Sequence, residues 1–587
     1  MGSWRRWTRA ERVLPRRSGH YVVTLIELLT SRAETDPRLC GFRFLHETSA
    51  NGGARLTYFE LREKAQTIAV ALRAIGVRKG DRVLLLYPPG LDFVAAFFGV
   101  LCAGAAAVPA HPPHPARLRS TLPRLEAVVA DARPAAVLAT AAIRTAAITA
   151  RLLPAARWLA TDELDESQAA EWCEPHVDRD ALALVQYTSG STASPKGVLV
   201  THHNLVRNSV VIHHAFGHSP RSRGVIWLPP YHDMGLIGGV VQPLFGGFPV
   251  TLMSPASFLM CPLNWLKAIA REGATTSGGP NFAFDLCVRK TTPEQRARLD
   301  LSSWEVAFVG AEPVRQETLE RFADAFAPSG FRPEAFHPCY GLAESTLFVT
   351  GGVKGARPAV CSVSATALSS GRVAPVESDS RKMVSCGSAT HGARVLIVDP
   401  ERCVRCEPEE VGEIWIASES VARGYHDRPE ESERVFGARL ADTDEGPFLR
   451  TGDLGFVRED ELFLTGRLKN VIIIGGRNHC AEDIERTVEN CHPALRPGCC
   501  AAFSVDLEGE ERLVIAAELE RRPTEGVEQS PTGIQMLVNT IRSAVAELHD
   551  VRAHAVLMLR PAAFPRTSSG KAQRHLCRAN FLASTQP

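Results

Sequence analysis

Tyr187-Thr188-Ser189-Gly190-Ser191-Thr192-Ala193-Ser194-Pro195-Lys196-Gly197 packs five Ser/Thr hydroxyls, two glycines and a lysine into one short loop. Apolar runs at 181–185 and 198–200 flank it, as buried strands would. Glycines let a backbone approach a ligand closely, hydroxyls and N–H groups donate to phosphate oxygens, and Lys196 adds a mobile positive charge. The stretch therefore points to a nucleotide at the end of a strand. It is not a Walker A loop, which needs Gly-Lys followed directly by Ser or Thr.

Working outward, short apolar runs at 82–86, 135–138, 182–186, 225–228, 306–309, 394–398 and 413–417 alternate with helix-like segments such as 58–75. That alternation predicts α/β layers with mainly parallel sheets, whose ligands gather beyond the carboxyl ends of strands. A length of 587 residues exceeds one ordinary core. A formal net charge of +1 gives no single-sign field for nucleic acid. Fifteen scattered cysteines, with Cys403 and Cys406 as the one Cys-x-x-Cys pair, read as reduced thiols of a cytoplasmic protein, without disulfides or a zinc site. Residues 93–110 carry no charge, but their glycines, alanines and Pro109 predict a buried helix, capped by Asp92, running into a buried strand, with no stable membrane insertion. The first 24 residues, rich in arginine, are expected to form a disordered basic arm.

Four further motifs follow in order: Tyr340-Gly341-Leu342-Ala343-Glu344-Ser345-Thr346, Arg450-Thr451-Gly452-Asp453, Gly466-Arg467-Leu468-Lys469-Asn470 and Pro565-Arg566-Thr567-Ser568-Ser569-Gly570-Lys571. Together with the loop they resemble the adenylate-forming enzymes, a superfamily of acyl-CoA synthetases, nonribosomal adenylation domains and luciferases, over nearly all of the chain from about residue 25. Trp227-Leu228-Pro229-Pro230-Tyr231-His232-Asp233-Met234-Gly235-Leu236-Ile237-Gly238-Gly239 and Thr275-Thr276-Ser277-Gly278-Gly279-Pro280-Asn281-Phe282 are similar to the fatty acyl-AMP ligases, as is an insertion at about 351–386.

The resemblance implies a large N-terminal adenylation domain, 25–467, of layered α/β subdomains with a small β-barrel-like part. A mobile α+β lid, 468–587, would turn about Lys469. A short strand at 471–474 and a helix at 481–490 fit that lid. The implied reaction is activation of a medium- or long-chain fatty acid by ATP and Mg²⁺ to an acyl-adenylate, followed by transfer to a holo acyl carrier protein. No Asp-Ser or Asn-Ser motif follows Lys571, so that carrier is expected in trans.

Attack of a carboxylate on phosphate brings two anions together, a repulsion of roughly 4 kcal/mol at 4 Å and an effective dielectric near 20, so cations are required. By resemblance, Lys571 bridges carboxylate and phosphate, and Glu344 holds Mg²⁺. Thr188, Ser189, Gly190, Ser191, Thr192 and Lys196 would serve the phosphates, and Gly341, Ser345 and Thr346 would also bind the nucleotide. Gly310, Ala311, Glu312 and Tyr340 would flank adenine, Asp453 would accept from both ribose hydroxyls, and Arg467 would contact ribose or phosphate. Tyr231, His232 and Met234 would line the carboxylate end of the acyl pocket, while Gly278, Gly279 and Pro280 leave room for the chain. His232 is also expected to take part in catalysis.

Three residues depart from the pattern: Ala193 stands for a glycine, Asn470 for an aspartate beside the hinge, and Cys480-Ala481 for an aromatic-proline pair. An acyl-CoA synthetase and a degenerate nucleotide-binding regulatory module remain as alternative readings.

Overall fold

The computed structural model describes the chain apart from residues 1–15, 18–19, 46–52, 113–117, 189–194, 375, 377–379, 390–391, 475–476, 508–509, 521–530, 550, 568–569 and 586–587. The expected basic arm thus lies mostly outside the described residues. Within it, Arg16–Arg17 and His20–Tyr21 pair as a two-residue antiparallel ladder, so this part is not disordered.

Two large sheets carry the N-terminal part. The first has six strands in the order Lys196–Thr201, Leu182–Thr188, Ala106–Ala110, Arg82–Leu86, Ala136–Ala139 and Trp158–Ala160. All neighbours are parallel except Lys196–Thr201, which runs back against Leu182–Thr188. The second sheet has nine strands, parallel through Phe336–Gly341, Val306–Val309, Thr276–Gly279, Gly224–Ile226, Val250–Met253 and Cys40–Leu45, with antiparallel strands at both edges. Strands such as Arg82–Leu86 and Val306–Val309 are buried on both faces, which is why their sequences read as apolar runs without alternation.

Helices start where side chains satisfy the free N–H groups. Thr24 with Glu27, Thr57 with Glu60 and Thr201 with Asn204 each form a reciprocal capping box. The apolar segment at 93–110 forms the helix Leu91–Cys102 and the strand Ala106–Ala110. Its N-cap is Gly90, not the expected Asp92, which sits one position inside the first turn and favours the helix dipole instead. No described helix is long and apolar enough to cross a membrane.

A four-stranded antiparallel sheet, Arg394–Val398, Gly412–Ala417, Leu449–Arg458 and Glu461–Arg467, forms the small β part. The segment read as an insertion contributes the ladder Val360–Ser364 with Ser380–Val384, whose Val363 and Met383 pack on Phe456 and Phe463. Arg381 of this ladder forms an ion pair with Asp483 in the C-terminal unit.

That unit is built on the sheet Leu495–Leu507, Glu510–Leu519 and Ala553–Leu559. Alternation along it is strict: Cys500 and Ala502 face a core made with helices Ala481–Cys491 and Pro531–His549, whereas Cys499, Ala501, Phe503 and Val505 face helix Arg574–Thr585. All fifteen cysteines are free thiols.

Candidate active site

A cleft of about 3010 Å³ opens between these parts, and residues from every one of the sequence motifs reach it. One wall of it is built around Asp453 on the strand Leu449–Arg458. Asp453 Oδ1 pairs with Arg467 Nε at 2.8 Å, and Oδ2 accepts from the Tyr340 hydroxyl at 2.9 Å. The strand pairing of Asp453 with Arg467 sets the first contact. Asp453 holds the Arg467 guanidinium firmly charged, raising its pKa. Each carboxylate oxygen keeps a further lone pair able to accept a hydrogen bond. Tyr340, Gly341, Ala311 and Glu312 line the same wall, and Ala311 adopts the left-handed region at φ 67°.

Glu344 sits in the short turn Ala343–Ser345, where Oε1 accepts from the Tyr425 hydroxyl at 2.8 Å. Burial raises the pKa of this carboxyl, which stores a free-energy incentive for a bound cation. A single carboxylate suits Mg²⁺, which keeps most of its shell for water and phosphate oxygens. Among the described residues no group of three His, Cys, Asp or Glu side chains forms a self-sufficient metal cage.

Ser345 and Thr346 do not reach the cleft. Both are buried, and Thr346, strained at φ 68°, donates its hydroxyl to the Ser420 carbonyl at 2.6 Å. They brace the Glu344 turn from behind. Asn208, which the sequence reading missed, does the same: fully buried, it donates to the Phe348 carbonyl at 2.8 Å and accepts from the Phe348 N–H at 3.2 Å. Asn208→Leu leaves two backbone groups without partners and is expected to cost about 1–3 kcal/mol in urea unfolding, with an unchanged midpoint ruling out this bracing role.

Of the phosphate loop, Ser189, Gly190, Ser191, Thr192 and the departure Ala193 lie outside the described residues. Thr188 lines the cleft. Lys196 does not: its ammonium pairs with Glu431 and lies 5.3 Å from the centre of the Tyr425 ring. The expected mobile phosphate cation is here held by an acidic partner on the helix Pro429–Phe436.

At the acyl side, Tyr231, His232 and Met234 line the cleft, and Gln186 donates to the Tyr231 carbonyl at 3.0 Å. Desolvation, then Arg124 and Lys571, push the His232 pKa down to about 3, so its imidazole is neutral at pH 7 and cannot supply the cation. A folded value below the unfolded 6.5 means stability that is present above 6.5 and lost on acidification. His232→Asn is therefore expected to lose less stability than the wild type as pH falls from 6.5 toward 3, read by chemical denaturation; parallel curves would exclude this effect.

Pro280 lines the cleft, but Gly278 does not. A Cβ on Gly278 would stand 2.1 Å from the Phe308 carbonyl oxygen, and one on Gly279 2.7 Å from Trp227. These glycines make room for neighbouring protein atoms rather than for a ligand. Gly310 likewise avoids the Cys339 carbonyl and sits behind the wall.

The C-terminal unit delivers Lys571. The Thr567 N–H donates to the Lys571 carbonyl at 2.8 Å and the Lys571 N–H donates to the Thr567 hydroxyl at 3.0 Å, across a tight turn at Gly570, φ 86°, a conformation that glycine adopts without penalty. Ser568 and Ser569 lie outside the described residues. Lys571 lines the cleft, its amine lowered by desolvation and Arg467 and favoured by Asp233, Glu312 and Asp453. Lys469 also lines the cleft, in the single turn Leu468–Asn470 between the strand Glu461–Arg467 and the C-terminal unit.

Two of the departures acquire roles. Asn470 donates to Glu482 at 2.7 Å, where an aspartate would repel it, and the Cys480 thiol lies 3.0 Å from the same carboxylate. Arg574, three residues after Lys571, completes the cluster by gripping Glu485 through two 2.6 Å bonds and Glu482 at 3.0 Å. Arg574 carries no motif of its own, and its partners are far away in sequence.

The family description "AMP-binding enzyme" matches residues 34–426, and "Disco-interacting protein 2-like, AMP domain" matches 469–586. The chain is 46% identical to the medium-chain-fatty-acid–[acyl-carrier-protein] ligase JamA of Moorena producens, over 96% of this chain and 95% of that one. It is 36% identical to the long-chain-fatty-acid–AMP ligase FadD32 of Mycolicibacterium smegmatis, covering 92% and 91%. The crystal structure of a fatty acyl-adenylate ligase from Legionella pneumophila, in complex with acyl adenylate and pyrophosphate, superposes with a TM-score of 0.75 at 39% identity, covering 96% of this chain and 97% of that one.

Proposed function

The chain belongs to the AMP-binding enzyme family, and from that premise we propose that it activates a medium- or long-chain fatty acid as its acyl-adenylate and transfers the acyl group to a carrier protein. One observation carries the reading: the C-terminal turn places Lys571 in the same cleft as His232, Glu344, Asp453 and Arg467. Cation, metal-site carboxylate and ribose acceptor then converge where a carboxylate would meet an α-phosphate.

In the first half-reaction the fatty carboxylate oxygen attacks the α-phosphorus of ATP, and the bond to the β-bridging oxygen breaks, releasing pyrophosphate. Lys571 offsets the meeting of the two anions, Asp453 and Arg467 fix the ribose, and the neutral His232 orients the carboxylate by hydrogen bonding. Glu344 would hold Mg²⁺, which neutralises phosphate charge when bound. In the second half-reaction the thiol sulfur of a phosphopantetheine arm attacks the acyl carbonyl, its proton passes to solvent, and AMP leaves. Rotation of the C-terminal unit about Lys469 would withdraw Lys571 and admit the arm. The setting is the cytoplasm, where free thiols persist.

The test is acid-dependent exchange of labelled pyrophosphate into ATP, followed by thioester assays with holo carrier protein and with free coenzyme A. Exchange together with carrier acylation is expected. Efficient turnover with coenzyme A would make the protein an acyl-CoA synthetase, and no exchange with any aliphatic acid would leave a nucleotide-binding module.

A further inference from the structure

The cleft continues past the carboxylate site. The helical segment that begins at Met234 presents Met234, Gly238 and Gln242, four residues apart, to one side of a channel. Strand Gly224–Ile226 runs along it, and Gly224 with its paired residue Thr276 marks the far end. Four residues of strand separate Thr276 from Pro280 at the near end, a depth of about 13 Å. At bond lengths near 1.5 Å in a zigzag, a chain of about ten carbons spans it.

Phe216, Phe248, Phe308 and Val250 make the far end largely apolar, and besides Thr276 two polar side chains stand in it, His218 and Gln242, 8% and 1% exposed. The Gln242 amide nitrogen donates to His218 Nδ1 at 3.1 Å. His218 then carries its proton on Nε2, and neither that N–H nor Gln242 Oε1 has a partner. Reversing the amide swaps the roles but again leaves one donor and one acceptor unmet. Burial keeps the imidazole neutral, so the pair recognises a dipole and not an ion. Buried polar groups are nearly always satisfied, and a donor beside an acceptor is the complement of a hydroxyl.

We propose that the blind end of this channel is a hydroxyl-binding subsite, and that the acid activated is a medium-chain fatty acid bearing a hydroxyl at or near its ω carbon. The inference rests on the fatty-acid reading above and adds the chemistry of the tail. A methyl terminus fills the same space but leaves both polar atoms unmet, and a site built to bond a hydroxyl discriminates against the analogue that lacks one.

The experiment compares pyrophosphate exchange of the full-length wild type with acids of about eight to twelve carbons, each with and without an ω-hydroxyl. The hydroxy acid is expected to lead by about ten-fold or more in kcat/KM. In Gln242→Leu the ratio, which is independent of how much protein folds, is expected to fall to one or below. Equal or better turnover of the plain acids by the wild type overturns the subsite, an ordered water then satisfying the pair, and leaves fatty-acid activation standing. Exchange with none of the acids overturns both.

Discussion

Lys571→Ala is expected to lower acid-dependent pyrophosphate exchange by about 10²–10³-fold, the effect typical of removing one preorganised group that meets developing charge. The amine lies in the cleft facing Asp233, Glu312 and Asp453, and neither Lys196, which is paired with Glu431, nor His232, which is neutral at pH 7, can take its place. Because Lys571 projects into the cleft and supports no core, the variant should melt with the wild type. Transfer of the acyl group from preformed adenylate to a carrier should survive, since that step needs no cation between two anions. Exchange within a few-fold of the wild type would remove Lys571 from the mechanism, and equal loss of both half-reactions would show that it holds the cleft together instead.

Much of this site could be read from local sequence because the chemistry is local. Asp453 and Arg467 lie on adjacent strands of one hairpin, and the Lys571 turn closes on its own Thr567. Double-sided burial writes apolar runs, so the layered fold was legible as well. What failed depended on partners distant in the chain. Lys196 reads as a free phosphate cation until Glu431, 235 residues on, comes beside it. Ser345 and Thr346 read as ligand contacts, yet their side chains turn inward, Thr346 toward Ser420. Gly278 reads as space, although the Phe308 carbonyl occupies it. Tyr425 and Asn208 were invisible for the same reason, their partners standing 81 and 140 residues away.

The largest stability effect is expected at Arg574. Its guanidinium lies between Glu485, whose carboxylate it grips through both oxygens, and Glu482, which also receives Asn470 and Cys480. These side chains are 21%, 10% and 24% exposed, so solvent screens the cluster only weakly. Desolvation already raises the Glu485 carboxyl to about 7 despite the arginine. Arg574→Met would leave two buried carboxylates facing each other without a cation, at a cost of about 3–5 kcal/mol to the C-terminal unit. Part of that cost returns if Glu485 takes up a proton, so the deficit should be larger at pH 8 than at pH 6, where uptake is easier. Adding Glu485→Gln should recover a substantial share, because the remaining carboxylate keeps Asn470. The consequence for chemistry follows from position. Arg574 ties the helix Arg574–Thr585 to the helix Ala481–Cys491, and Lys571 lies only three residues before it, so a loosened cluster lowers exchange even in the folded fraction. Thermal melting, limited proteolysis of the C-terminal unit and exchange per folded molecule read these three effects separately. Wild-type melting of Arg574→Met would mean that the cluster is hydrated and contributes nothing. A loss that Glu485→Gln deepens would mean that Glu485 supports the unit through Ala502 rather than through the arginine.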